Sequence, residues 1–357
     1  MSLTKFASNL FANINEEKEN CFFSPFSIQT AMGMCLAGAN GETEKALTNL
    51  LSLPDNHKTY FAALAKICKN NPDYELQSAN ALWAQSGLEY HEKFAADIVH
   101  YYNGSFYDVD YHNKSATCQQ INEWCKENTK GKIPEIINES FLQKEMKLIL
   151  TNAIYFKGKW RTAFKKENTK DLDFHNEDGN TVKTPTMSLK DKFRYGETDS
   201  FQAVELPYEG DDMSMLVVLP GVEKTLGTLE ETYNQAVDCV GMLETVILQM
   251  PRFKFSTEEK LGQSFKEMGA GIAFSDNADF TGISKNERLK ISEVIHKAFV
   301  DCNEEGTEAA AATAVGMVRC TAFAPARPPK IFKADRSFLF FIRKNDNILF
   351  AGKVARL

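Results

Sequence analysis

Histidine and cysteine are the residues of this 357-residue chain best suited to metal or nucleophilic chemistry, and their spacing argues against both. The histidines are His57, His91, His100, His112, His175 and His296, and no two stand at the separation of a zinc-binding helix such as H-E-x-x-H. The cysteines are Cys21, Cys35, Cys68, Cys118, Cys125, Cys239, Cys302 and Cys320, with no C-x-x-C among them. No G-x-S-x-G elbow occurs. Nothing local would activate Cys320 as a thiolate, which leaves only a histidine distant in sequence to do so. The expectation is a protein that is not an enzyme and carries no metal or other cofactor.

What stands out instead is a run of small residues, Glu304-Glu305-Gly306-Thr307-Glu308-Ala309-Ala310-Ala311-Ala312-Thr313-Ala314-Val315, continuing into Gly316-Met317-Val318-Arg319-Cys320. By propensity the alanines form a short helix. Read with period two, Thr307, Ala309, Ala311, Thr313 and Val315 share one face and Glu308, Ala310, Ala312 and Ala314 the other. Such a strand would be slim enough to enter a packed sheet without overpacking it. No proline falls between Glu304 and Ala324, so the ladder would be uninterrupted. The 13 residues from Thr307 to Arg319 would span about 43 Å. At ~1 kcal/mol net per backbone hydrogen bond, insertion would release on the order of 10 kcal/mol, which rivals an ordinary domain's stability.

The remaining elements must supply that sheet. Residues 2–14 have helical spacing and 20–23 read as a short strand. Ser24 is placed to cap a helix with Pro25 in its first position, leading into 28–37, and 42–51 resume helical periodicity after the turn at 38–41. Residues 76–83 alternate as a strand, 91–102 read as a helix followed by an extended 107–111, and 118–128 form an amphipathic helix carrying Ile121, Trp124 and Cys125 on one side. The run 148–156 is apolar enough for a central strand. Further strands are expected over 201–206, 213–219, 246–250 with 251–255, 289–300, 331–332 and 337–342, with one more helix over 258–268. No repeat, linker or composition shift divides the chain, so residues 1–357 read as one mixed α/β domain.

With 43% hydrophobic residues the chain can bury a large core, and its net charge of −7 with no long basic run argues against a nucleic-acid partner. Lys58, Lys66 and Lys69 are too sparse for a glycosaminoglycan-binding face. No run is long enough to span a membrane, and residues 1–11 lack the pattern of a signal peptide. The default expectation is a cytoplasmic protein with free thiols, with non-classical release open. The motifs at Asn103, Asn113 and Asn138 would accept glycans only after export.

The segment from Glu304 to Val315 resembles the hinge and reactive-centre loop of an inhibitory serpin of the intracellular, ovalbumin-like subgroup. The similarity runs over essentially the whole chain, including 20–28 with 38–43, 148–160, Asp279-Phe280-Thr281-Gly282-Ile283 and 348–354. The resemblance implies a mixed α+β fold of about nine helices on three largely antiparallel β-sheets, with an exposed loop over about 304–331. It assigns the loop hinge to Glu304, Glu305, Gly306, Thr307, Glu308, Ala309, Ala310, Ala311 and Ala312. A shutter that lets the sheet open is assigned to Ser24, Ser27, Asn152 and His296, and an upper entry point to Trp160 and Arg252, with Arg252 a partner for Glu304. The scissile bond would be Arg319–Cys320 or, by the longer spacing, Cys320–Thr321, with Met317 and Phe323 also open as specificity residues. The implied function is a monomeric suicide substrate. A trypsin-like serine protease, drawn by Arg319, or a papain-like cysteine protease, drawn by Val318, would cleave the loop and be trapped covalently as the freed strand enters the sheet. The alternative is a non-inhibitory serpin acting as carrier, chaperone or storage protein.

Overall fold

The computed structural model describes residues 2–15, 19–54, 57–67, 71–210, 212–307 and 328–357. Helix α1 (Ser2–Ile14) is followed by β1 (Cys21–Phe23), α2 (Pro25–Leu36), α3 (Gly41–Leu50), α4 (His57–Ala65), β2 (Tyr74–Gln85), α5 (Glu92–Tyr102), β3 (Ser105–Val109) and α6 (Lys114–Asn128). Then come β4 (Leu148–Lys159), β5 (Lys170–His175), β6 (Thr181–Glu197), β7 (Phe201–Pro207), β8 (Met213–Pro220), α7 (Leu229–Cys239), β9 (Met242–Pro251) and β10 (Phe253–Lys260). The chain closes with α8 (Gly262–Phe265), β11 (Glu293–Cys302), β12 (Gly306–Thr307), β13 (Lys330–Lys333), β14 (Phe338–Lys344) and β15 (Asn347–Val354).

Local chemistry explains the helix starts. The Ser24 side chain accepts the Ser27 amide at 3.1 Å, with Pro25 in the first turn of α2, as the sequence led one to expect. Asn113 caps α6 through the Ala116 amide, so this helix begins four residues before the expected 118. Thr228 and Glu231 form a reciprocal capping box at the start of α7, a helix missing from the sequence reading. The expected helix over 258–268 is a correction. Glu258, Glu259 and Lys260 extend β10 opposite Lys297, His296 and Ile295 of β11, and only Gly262–Phe265 is α-helical, continuing into a π turn and a 3₁₀ turn. Cross-strand pairing overrides the helical propensity of the Glu and Lys residues there.

The strands form two sheets among the described residues. One has nine strands, in the order β1-β15-β14-β8-β7-β6-β9-β13, with β5 beside β6. Two of the three expected sheets merge in it because the 17-residue β6 pairs with β5 at one end, β7 at the other, and β9 from Thr186 to Tyr195. The other has six strands, β10-β11-β12-β4-β2-β3. Eight α-helices are present among the described residues. A main core joins α1 and α2 to both sheets, and a second, built on Trp83, Ile121, Trp124 and Ile149, seals α6 against the six-stranded sheet. No helix among the described residues is long and apolar enough to cross a membrane.

Candidate functional site

The site is the seam between β4 and β11. Along half its length these strands pair directly and in parallel, Glu293 to Ala298 against Ile149 to Ile154. Beyond that they part, and β12 sits between them, with Thr307 opposite both Cys302 and Gly158 and Gly306 opposite Lys159. Only glycine fits at 306: a Cβ there would lie 2.0 Å from the Gly158 carbonyl oxygen, at a φ of +156°. Thr307 is buried, and its hydroxyl lies 2.7 Å from that of Tyr208, itself buried. The other expected hinge residues, Glu308, Ala309, Ala310, Ala311 and Ala312, lie outside the described residues. So do Met317, Val318, Arg319, Cys320, Thr321 and Phe323 of the expected cleavage region.

Where β12 enters, the preceding residues are gripped from several sides. The Trp160 ring N–H donates to the Asn303 carbonyl at 2.9 Å, its amide to the Glu305 carbonyl at 2.9 Å, and the Phe164 amide to the Glu304 carbonyl at 2.8 Å. The Trp160 ring stacks on Tyr208 at 4.5 Å. The Glu304 carboxylate, 2% exposed, accepts Arg252 Nε at 2.9 Å, Arg252 Nη2 and the Thr169 hydroxyl at 2.5 Å. Burial would raise the Glu304 carboxyl, but these hydrogen bonds outweigh it and hold the group below the usual carboxylate range. Lys166 meets Glu305 at 3.0 Å. Trp160, Arg252 and Glu304 are therefore brought together, while Thr169, Tyr208 and Lys166 complete the grip without having been foreseen.

Lower on the same seam, Ser24, Ser27, Asn152 and His296 also converge. His296 lies directly opposite Asn152 across β11 and β4, and Asn152 directly opposite Asn80 across β4 and β2. His296 Nε2 accepts the Ser24 amide at 3.2 Å, so the ring proton resides on Nδ1, which donates to Asn152 Oδ1 at 2.5 Å. Asn152 Nδ2 donates to Asn80 Oδ1 at 2.5 Å and to the Ser27 hydroxyl, which in turn meets Ser78 at 2.8 Å. Ser24 Oγ donates to the Leu349 carbonyl at 2.6 Å. Full burial holds the imidazole neutral, its pKa pushed down to about 3. Asn80 and Ser78 were missed, yet Leu76, Ser78, Asn80 and Leu82 share one face of a period-two strand, and a polar residue at an inward position calls for a buried partner. Among the described residues no cluster of three or more His, Cys, Asp or Glu side chains could hold a metal.

Comparison with known proteins agrees with this architecture over its full length. The family model described as serpin (serine protease inhibitor) matches residues 1–357. The chain is 39% identical over 362 residues to an uncharacterized serpin-like protein of Methanosarcina mazei, covering 97% of this chain and 84% of that protein. It is 38% identical over 375 residues to the leukocyte elastase inhibitor of Sus scrofa, covering 99% and 97%. In shape it is similar to the thermophilic serpin Tengpin in its native state, with a TM-score of 0.89 at 27% identity over 100% of this chain and 93% of that one. It is also similar to thyroxine-binding globulin in complex with thyroxine, with a TM-score of 0.85 at 27% identity over 99% and 98%. The chain belongs to the serpin family and has the serpin fold. Serpins are generally protease inhibitors rather than catalysts.

Proposed function

We propose that this serpin is a monomeric, single-domain inhibitor that traps its protease by loop insertion and has no catalytic residues of its own. The observation that carries the reading is the half-open seam: β4 and β11 are paired below, parted above, and already hold Gly306 and Thr307 between them. A strand that continued past Thr307 would enter between β4 and β11. The hydrogen bond from His296 to Asn152 crosses that seam and must break as the strand passes, so it acts as a latch. The gain from completing the new ladder drives the process.

The fold does not choose between inhibition and carriage, since thyroxine-binding globulin shares it. Hinge composition favours inhibition, because Glu304 to Val315 contains neither proline nor a bulky side chain. The bond Arg319–Cys320 is the proposed cleavage point, with Cys320–Thr321 the alternative. A trypsin-like serine protease is the proposed target, and a papain-like cysteine protease the second choice. A protease partner in the cytoplasm is the corresponding setting. The test is incubation with trypsin, chymotrypsin and a papain-like protease, followed by denaturing electrophoresis and mass mapping of the released C-terminal peptide. A covalent serine-protease complex with release after Arg319 supports the proposal. Complete turnover as a simple substrate by every protease rejects it.

A further inference from the structure

Beside the hinge anchors lies a cavity of about 210 Å³ that none of the contacts described so far employs. Its walls include the rings of Trp160, Phe164 and Phe193 with Leu189 and Leu206, and Leu243, 61% exposed, stands at its lip. Arg161, Lys192 and Asp191 also line it. With two cationic side chains, Arg161 and Lys192, against one carboxylate, Asp191, the lining carries a net positive charge. We infer that this cavity is a binding site for a small aryl carboxylate, ring inward and carboxylate toward Lys192, and that its occupancy steadies the hinge.

Size limits the ligand. Drug-sized sites run to roughly 300–1,000 Å³, whereas an apolar cavity of about 150 Å³ already holds benzene. A volume between these suits one ring with a short tail. Exposed apolar surface at Leu243 and the aromatic walls favour the ring, and the cationic lining favours an anionic tail over a neutral one. The coupling follows from shared residues. Trp160 and Phe164 form the wall and also donate the backbone hydrogen bonds that hold Glu304 and Glu305, so a ligand packed against their rings restrains the same segment. That consequence rests on the proposed role of the hinge, whereas binding itself does not.

The test uses the full chain with 3-phenylpropanoate, and with 3-phenylpropan-1-ol as its neutral counterpart. Calorimetry should give saturable binding of the acid. Exchange of Lys192 for glutamate, Lys192→Glu at an exposed position, should weaken the acid at least tenfold and leave the alcohol unchanged. Leu243→Glu should weaken both. Hydrogen exchange at the Trp160 and Phe164 amides should slow several-fold at saturation, and the inhibitor-to-protease ratio needed for full inhibition should at least double. No saturable binding, or equal binding of the acid to Lys192→Glu, overturns the site. Binding without slower exchange overturns the coupling. Failure to trap any protease while binding and exchange behave as stated rejects the inhibitory reading and leaves the site standing.

Discussion

Replacing Thr307 with arginine should turn the protein from inhibitor into substrate. Thr307 is 2% exposed and sits between Cys302 and Gly158, with its hydroxyl satisfied by Tyr208 at 2.7 Å. Of the described hinge acids, Glu304 is engaged by Arg252 and Glu305 by Lys166. An uncompensated buried charge costs roughly 3–5 kcal/mol. Thr307 is already seated in the seam, so the arginine first displaces β12, and insertion must then bury the charge again. With most of the cost felt at that step, insertion slows by roughly 10²- to 10⁴-fold, while cleavage of the loop is untouched. Deacylation then wins the competition. The assay is the ratio of covalent complex to cleaved inhibitor on denaturing gels at several molar ratios. Thr307→Val provides the control, since it keeps the shape and removes only the hydroxyl, leaving the Tyr208 hydroxyl unpaired at about 1–3 kcal/mol. The expected order of trapping is parent, then Thr307→Val, then Thr307→Arg with almost none. Thr307→Arg trapping as completely as the parent refutes insertion at this residue.

Other contacts make equally direct predictions. His296 is buried neutral, with its pKa lowered from 6.5 to about 3, so the unfolded chain takes up a proton first as pH falls. Its contribution is complete above about pH 6.5 and is lost toward pH 3 at ~1.4 kcal/mol per pH unit; urea midpoints at pH 7 and 4.5 should show this slope in the parent and a smaller one in His296→Gln. Glu304 has the same sign, because its lowered pKa adds stability above the unfolded value and loses it as pH falls through the folded one. Arg252→Ala should abolish that dependence and lower stability by roughly 1–2 kcal/mol, discounted because Arg252 is 43% exposed. Gly306→Ala should expel β12 from the seam, since its methyl would meet the Gly158 oxygen, and faster exchange of the Trp160 amide would report it.

Much of the site was legible because it rests on residue types with few alternative uses. The Ser24-Pro25 helix start, the slim stretch around Thr307 and a histidine in an apolar strand all announce themselves locally. What was not legible depends on which strands become neighbours. Asn80 and Ser78 matter only because β2 pairs with β4, and Tyr208 only because the turn after β7 brings it under Trp160. Thr169 shows no local signal at all; its partner Glu304 is 135 positions away. The helix wrongly expected over 258–268 fails for the same reason, since only the pairing of β10 with β11 holds Glu258–Lys260 extended. The missing α7, by contrast, had a readable signal in Thr228 and Glu231.

The central claim is that the intact protein is held short of its most stable form. Thermal unfolding of intact protein beside protein nicked once between Gly306 and Pro325 tests it most directly. Unfolding entropy of about 2.1 cal/mol/K per residue over 357 residues is ~0.75 kcal/mol/K, so a gain on the order of 10 kcal/mol should raise Tm by about 13 °C. A rise of that order in the nicked form, with the two pieces still associated, is the predicted result. Equal or lower Tm after nicking contradicts it.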